Sequence, residues 1–96
     1  MKQVQRLQAR MAEVKEELAE KEVEGSAGGG MVKVVANGRQ EVISVVIEPA
    51  ALEDREMLED LVTAAVNDAM RKSKALMEEE LSKIASQLGI NLPGIF

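Results

Sequence analysis

The apolar residues of this 96-residue chain change their spacing twice, and those two changes limit the fold more than any other feature. Val4, Leu7, Met11, Val14 and Leu18 recur at steps of 3, 4, 3 and 4, the pattern of a helix packed along a seam. No Gly or Pro interrupts residues 2–21, so one helix is predicted there, roughly 30 Å long. Glu17 and Lys21 are spaced for an i, i+4 ion pair on it. Such a helix is long for a small domain, and part of it is expected to stand clear of the core.

From residue 23 to 48 the period becomes alternating. Gly25 through Gly30 reads as a flexible stretch, followed by the β-branched run Met31–Ala36, Asn37-Gly38, and a second run from Gln40 to Glu48. Asn-Gly between such runs is a strong hairpin signal. Ile43, Val45 and Ile47 should line one face of the last strand, and Val42, Ser44 and Val46 the other. The second face is too apolar to be left in water, so a partner is expected to cover part of it.

Pro49 ends the strand, and Glu53-Asp54 offers an acidic helix start. Leu58, Leu61, Val62, Ala65, Val66, Ala69 and Met70 form a broad stripe for packing on a sheet. Beyond Lys74 the seam continues as Met77, Leu81, Ile84 and Leu88, offset by about a residue, which implies a bend or a change of partner near residues 71–77. The chain thus reads as one α+β domain: a helix over 1–22, three short antiparallel strands within 23–48, a long bent helix over 53–88, and a tail over 89–96.

Composition narrows the function. Phe96 is the only aromatic residue, and Cys, His, Trp and Tyr are absent. A chain this small buries only about 60–65% of its unfolded surface. With no disulfide or histidine–cysteine metal site available as a staple, oligomerisation is the remaining way to bury enough apolar area, and a homodimer is expected. No thiolate or imidazole is available for catalysis, so no catalytic residue, cofactor, metal or small-molecule substrate is assigned. The residues from Met1 to Arg6 are amphipathic and no apolar run approaches a membrane span, so a cytoplasmic protein without a signal peptide is expected.

The formal net charge of −5 is unevenly spread. Residues 1–12 carry Lys2, Arg6 and Arg10 and no acid; residues 13–60 carry five basic side chains against thirteen acidic ones. Arg71, Lys72 and Lys74 form a second basic group, with no acid between Asp68 and Glu78.

Several of these pieces together resemble the YbaB/EbfC family of bacterial nucleoid-associated proteins. They are Gly30-Met31-Val32-Lys33-Val34, Asn37-Gly38, Val45-Val46-Ile47-Glu48-Pro49, Leu58–Val62, Ala64–Ala69 and Leu92-Pro93-Gly94. No one of them is specific; the combination, over nearly the whole chain, is. Many members carry a Gly- and Met-rich leader before the first helix, whereas this chain starts directly at it. The resemblance implies an intertwined, tweezer-like homodimer that binds double-stranded DNA at the nucleoid, with effects on nucleoid organisation and gene expression. It also implies that basic residues of the terminal helices hold the DNA: Lys2, Arg6 and Arg10 in the first, Arg71, Lys72 and Lys74 in the last.

Each feature has a plainer reading. Lys2, Arg6 and Arg10 share one helix face, off the apolar seam, and could track phosphates or simply be solvated. The later group could complement a helix dipole instead. The glycine run is no phosphate loop, because Met31 opens a strand and no Gly-Lys-Ser/Thr follows. Glu78-Glu79-Glu80 point in three directions on a helix and suit a solvated face better than a metal. Asn67-Asp68 is either a buried polar pair at a dimer seam or exposed. The competing functional class is a prefoldin-like interaction or chaperone module without DNA, although its arms need much longer coils.

Overall fold

Residues 2–89 are described by a computed structural model. Helix α1 spans Lys2–Glu20, strands β1, β2 and β3 span Glu22–Ala27, Val32–Asn37 and Val42–Ile47, a 3₁₀ turn spans Pro49–Glu53, and helix α2 spans Arg55–Leu88. The expected order of helix, three antiparallel strands and long helix is therefore present. The expected tail beyond Gly89, including Leu92-Pro93-Gly94, lies outside the described residues, as does the Leu88 side chain.

The strands lie in the order β1-β2-β3, with β2 in the middle. Val32, Val34 and Ala36 of β2 are fully buried beneath Ala65 and Ala69 of α2, with Val23, Leu58, Leu61, Val62 and Met70 packed around them. Gly25 does not belong to a flexible stretch; it sits inside β1, opposite Val34. A Cβ there would lie 2.3 Å from the Ala69 nitrogen and 2.4 Å from the Ala65 oxygen. Glycine is needed because the helix backbone rides directly on the strand. Gly28, Gly29 and Gly30 form the β1–β2 turn, all with positive φ (64°, 67° and 95°).

Asn37-Gly38 does not make the expected two-residue turn. Asn37 is the last residue of β2, and the connection runs through residues 38–41, with Gln40 in the left-handed region at φ 62°. The Asn37 side chain organises it: Oδ1 accepts from the Arg39 and Glu41 N–H groups, and Nδ2 donates to Glu41 Oε1. Gly38 is required for proximity. Its N–H donates to the Leu18 and Lys21 carbonyls, at 2.8 and 3.1 Å, so the hairpin tip caps the end of α1.

Alternation in β3 is also broken. Pairing steps from Val35↔Ser44 to Ala36↔Val42, leaving Ile43 as the extra residue of a bulge. Val42 consequently joins Val45 and Ile47 opposite the helix-side residues of β2, rather than sharing a face with Val46. Because α2 covers β1 and β2, the third strand stays open: Val42, Ile43, Val45 and Val46 are all exposed, and so is Leu52 in the turn that follows.

Asp54 caps α2, its carboxylate accepting from the Met57 N–H, and Gly89 closes it in the left-handed conformation with its N–H on the Ala85 and Ser86 carbonyls. The 34 residues between run unbroken. The slip in the apolar seam marks a change of partner: residues 58–70 pack on the sheet, and Leu76, Met77, Leu81 and Ile84 pack on Leu7, Met11, Val14 and Leu18 of α1. The two helices form an arm, and the described molecule extends 59 Å along its longest axis and 23 Å and 15 Å across.

Candidate nucleic-acid interface

The arm is fixed at its base. At the base, Gly38 holds the last turn of α1, and Lys21 reaches across to Glu80 with Nζ 2.5 Å from Oε1. This replaces the expected Glu17–Lys21 pair. Glu80 is buried, and the Lys21 ammonium holds its carboxyl below the ordinary value in spite of that burial. Glu79 stays exposed beside Lys83. The three glutamates do point in different directions, but one of them is a structural anchor rather than part of a solvated face. A second anchor is the fully buried Ser73: its hydroxyl donates to the Asn37 carbonyl at 2.7 Å and accepts from the Gln40 N–H at 2.9 Å.

The tip is basic. Lys2 and Arg6 are exposed and make no ion pair among the described residues. Arg10 pairs with Glu13 at 3.0 Å, both side chains being well exposed. Arg10 stands ten residues, roughly 15 Å, from the fixed end of α1, and Lys2 roughly 27 Å. Nearer the base α1 turns acidic, with Glu13, Glu16, Glu17 and Glu20 against Lys15. The helix is polarised along its length, positive at the outer end.

The other basic group is elsewhere. Arg71 and Lys72 both turn to Asp68, at 3.6 and 3.2 Å, and Lys72 Nζ also donates to the Glu24 carbonyl of β1 at 2.8 Å. Asp68 accepts from the Ser26 N–H at 3.1 Å. That N–H first, and Lys72 next, hold its carboxyl below the ordinary value. Lys74 is exposed and unpaired among the described residues. These three residues sit over the sheet, roughly 30 Å along the long axis from Arg6. A single chain does not bring the two basic groups together.

Of the Asn67–Asp68 pair, the single chain engages only Asp68. It is half-buried against the edge of β1, while Asn67 is exposed. In sequence, Asp68 and Lys72 look like any i, i+4 surface pair, and nothing in the spacing reveals the backbone groups they meet. Among the described residues no group of three or more His, Cys, Asp or Glu side chains is placed to hold a metal, and no helix is long and apolar enough to cross a membrane.

Residues 1–88 match the model of the YbaB/EbfC DNA-binding family. The chain belongs to that family. It is 54% identical to a nucleoid-associated protein of Syntrophobacter fumaroxidans over 101 residues, covering all of this chain and 92% of the relative. It is 49% identical to one from Pelotomaculum thermopropionicum, covering all of this chain and 91% of the relative. Among solved structures, an uncharacterised protein of Helicobacter pylori superposes with a TM-score of 0.74 at 25% identity, over 88% of this chain and 87% of that one. The YbaB/EbfC family is described by DNA binding and not by a reaction.

Proposed function

We propose that this YbaB/EbfC protein acts in the cytoplasm, at the nucleoid, as a homodimer that grips double-stranded DNA between the basic tips of its arms. The observation that carries the reading is the polarity of α1. Lys2, Arg6 and Arg10 occupy the outer half of a projecting helix whose inner half, like most of the chain, is acidic. An acidic body repels phosphate, so DNA is met mainly by the part that extends beyond it. Guanidinium and ammonium groups there meet phosphate oxygens and release counterions. Lys74 and the outer edge of Arg71 supplement them from the sheet, and Lys72 contributes less because its ammonium is already bonded. The second subunit supplies a second tip and seats on β3, whose exposed valines and isoleucine otherwise face water.

The test is a fluorescence-anisotropy titration of a labelled duplex at several salt concentrations. Affinity should fall with salt at a log–log slope of about −0.9 per phosphate neutralised. Arg6→Ala combined with Arg10→Ala should weaken binding and make the slope shallower, by about one unit for every phosphate that either subunit no longer neutralises. The same variant should leave stability within about 0.5 kcal/mol of the parent, since both side chains lie off the apolar seam. Unchanged DNA affinity in that variant would remove α1 from the interface. A protein with no duplex affinity at low salt would return the function to a protein-interaction module.

A further inference from the structure

The two edges of the sheet are treated differently. On β1, the Ser26 N–H and the Glu24 carbonyl point away from β2, and both are bonded: the first to Asp68 Oδ2 at 3.1 Å, the second to Lys72 Nζ at 2.8 Å. These are the donor and acceptor that flank Gly25 on the outer side of the strand, where a neighbouring strand would offer a carbonyl and an N–H. Asp68 supplies the acceptor and Lys72 the donor. They are one helical turn apart and joined to each other at 3.2 Å. The pair reaches the edge only because α2 lies so close to the strand, which in turn requires that Gly25 have no Cβ. Strand β3 has no such cover among the described residues, and its Val42, Ile43, Val45 and Val46 side chains are apolar and exposed.

An open strand edge is a template for pairing with another copy. A molecule with two open edges adds copies at both and grows without limit; with one, pairing across a two-fold axis uses up the edge and growth stops. We propose that Asp68 and Lys72 are assembly-limiting residues: they seal β1 against a second copy of this chain, so that association proceeds through β3 alone and ends at a closed dimer. This rests on the reading of β3 as the subunit interface.

The experiment is sedimentation velocity of the full chain from about 5 to 200 µM, comparing the parent with Asp68→Ala/Lys72→Ala, a change that leaves net charge unaltered. The parent should remain a dimer over the range. The double variant should show species larger than a dimer whose share rises with concentration. Adding Ser26→Pro, which removes the freed N–H, should restore the dimer. Arg71→Ala, which removes a neighbouring cation with no bond to the strand, should sediment like the parent. A double variant with parental circular dichroism that remains a dimer at every concentration overturns the proposal.

Should the double variant unfold, amide exchange settles the matter on Lys72→Met and Asp68→Ala singly. The Ser26 N–H should be protected in the parent and exchange at least tenfold faster in Asp68→Ala. Equal exchange in the two would overturn the seal. A parent that sediments as a monomer sinks the β3 dimer instead, and growth of the double variant beside it would still assign the guarding of β1 to this pair.

Discussion

At the residue scale, two positions link the helices to the sheet by very different means. Gly25 does so by absence: any side chain there meets the backbone of α2, which cannot move without disturbing Ala65 and Ala69, both fully buried. Gly25→Ala is therefore expected to lower stability by about 3 kcal/mol or more, at the upper end of overpacking effects, in a urea titration followed by circular dichroism. Ser73 does so by bonding. Its hydroxyl serves the Asn37 carbonyl and the Gln40 N–H at once, at a site closed to water. Ser73→Ala leaves the Gln40 N–H and the Asn37 carbonyl only their 3.3 Å bond to each other and should cost about 1 kcal/mol. Ser73→Thr keeps the hydroxyl but adds a methyl group to a fully buried site, and it should recover only part of the loss. If Ser73→Ala melts with the parent, the hairpin is held by Gly38 and the sheet ladder alone.

At the element scale, the base of the arm is held by a charge pair that responds to acid. The Glu80 carboxyl titrates below its ordinary value because Lys21, and more weakly Lys83, stabilise the ionised form. A carboxylate depressed on folding contributes stability that is present above its unfolded value, about 4.3, and lost as pH falls through the lower folded value. Asp68 behaves in the same way at the edge of β1. Thermal midpoints of the parent should therefore drop steeply below about pH 4.5. Glu80→Gln should be less stable at neutral pH and should show a shallower acid decline, with the Asp68 share remaining. Equal acid slopes in the two proteins would mean that the Lys21–Glu80 pair does not hold the arm. The elements themselves were largely legible in the sequence, because each is announced by a period: about 3.5 for the Val4–Leu18 seam, about 2 for the strands, and an offset at residues 71–77 where α2 exchanges the sheet for α1. What escaped depends on distant segments meeting. The bulge at Ile43, the proximity role of Gly38 and the packing of Gly25 are set by what lies across from them, and a glycine needed for space is spelled like one needed for a turn. The site was legible to a lesser degree. The stripe on α1 stands out by charge, but Lys72 is a surface cation in the sequence and an edge-binding group in the fold.

At the scale of the whole molecule, the exposed third strand makes a prediction that a single chain cannot satisfy. Val45 faces the helix side of the sheet but lies beyond the reach of α2, and it is 43% exposed. Val45→Asp should leave the secondary structure of a dilute single chain intact while preventing association, seen as a monomer by sedimentation and as loss of duplex affinity once two tips can no longer act together. A Val45→Asp protein that remains a dimer would place the subunit interface elsewhere. The continuity of α2 also bears on how such a chain can change length. One rigid helix is registered against a sheet at Ala65 and Ala69 and against another helix at Ile84. A single residue inserted between those stretches turns the second stretch by about 100° and raises it by about 1.5 Å, taking Leu81 and Ile84 away from α1. Insertions of about seven residues, which return the seam to nearly the same direction, are the ones such a helix can accept. The Gly28–Gly30 turn carries no such register, since Gly29 has open space around it. Length variation in chains built on this plan should therefore be free in that turn and come in whole heptads within α2.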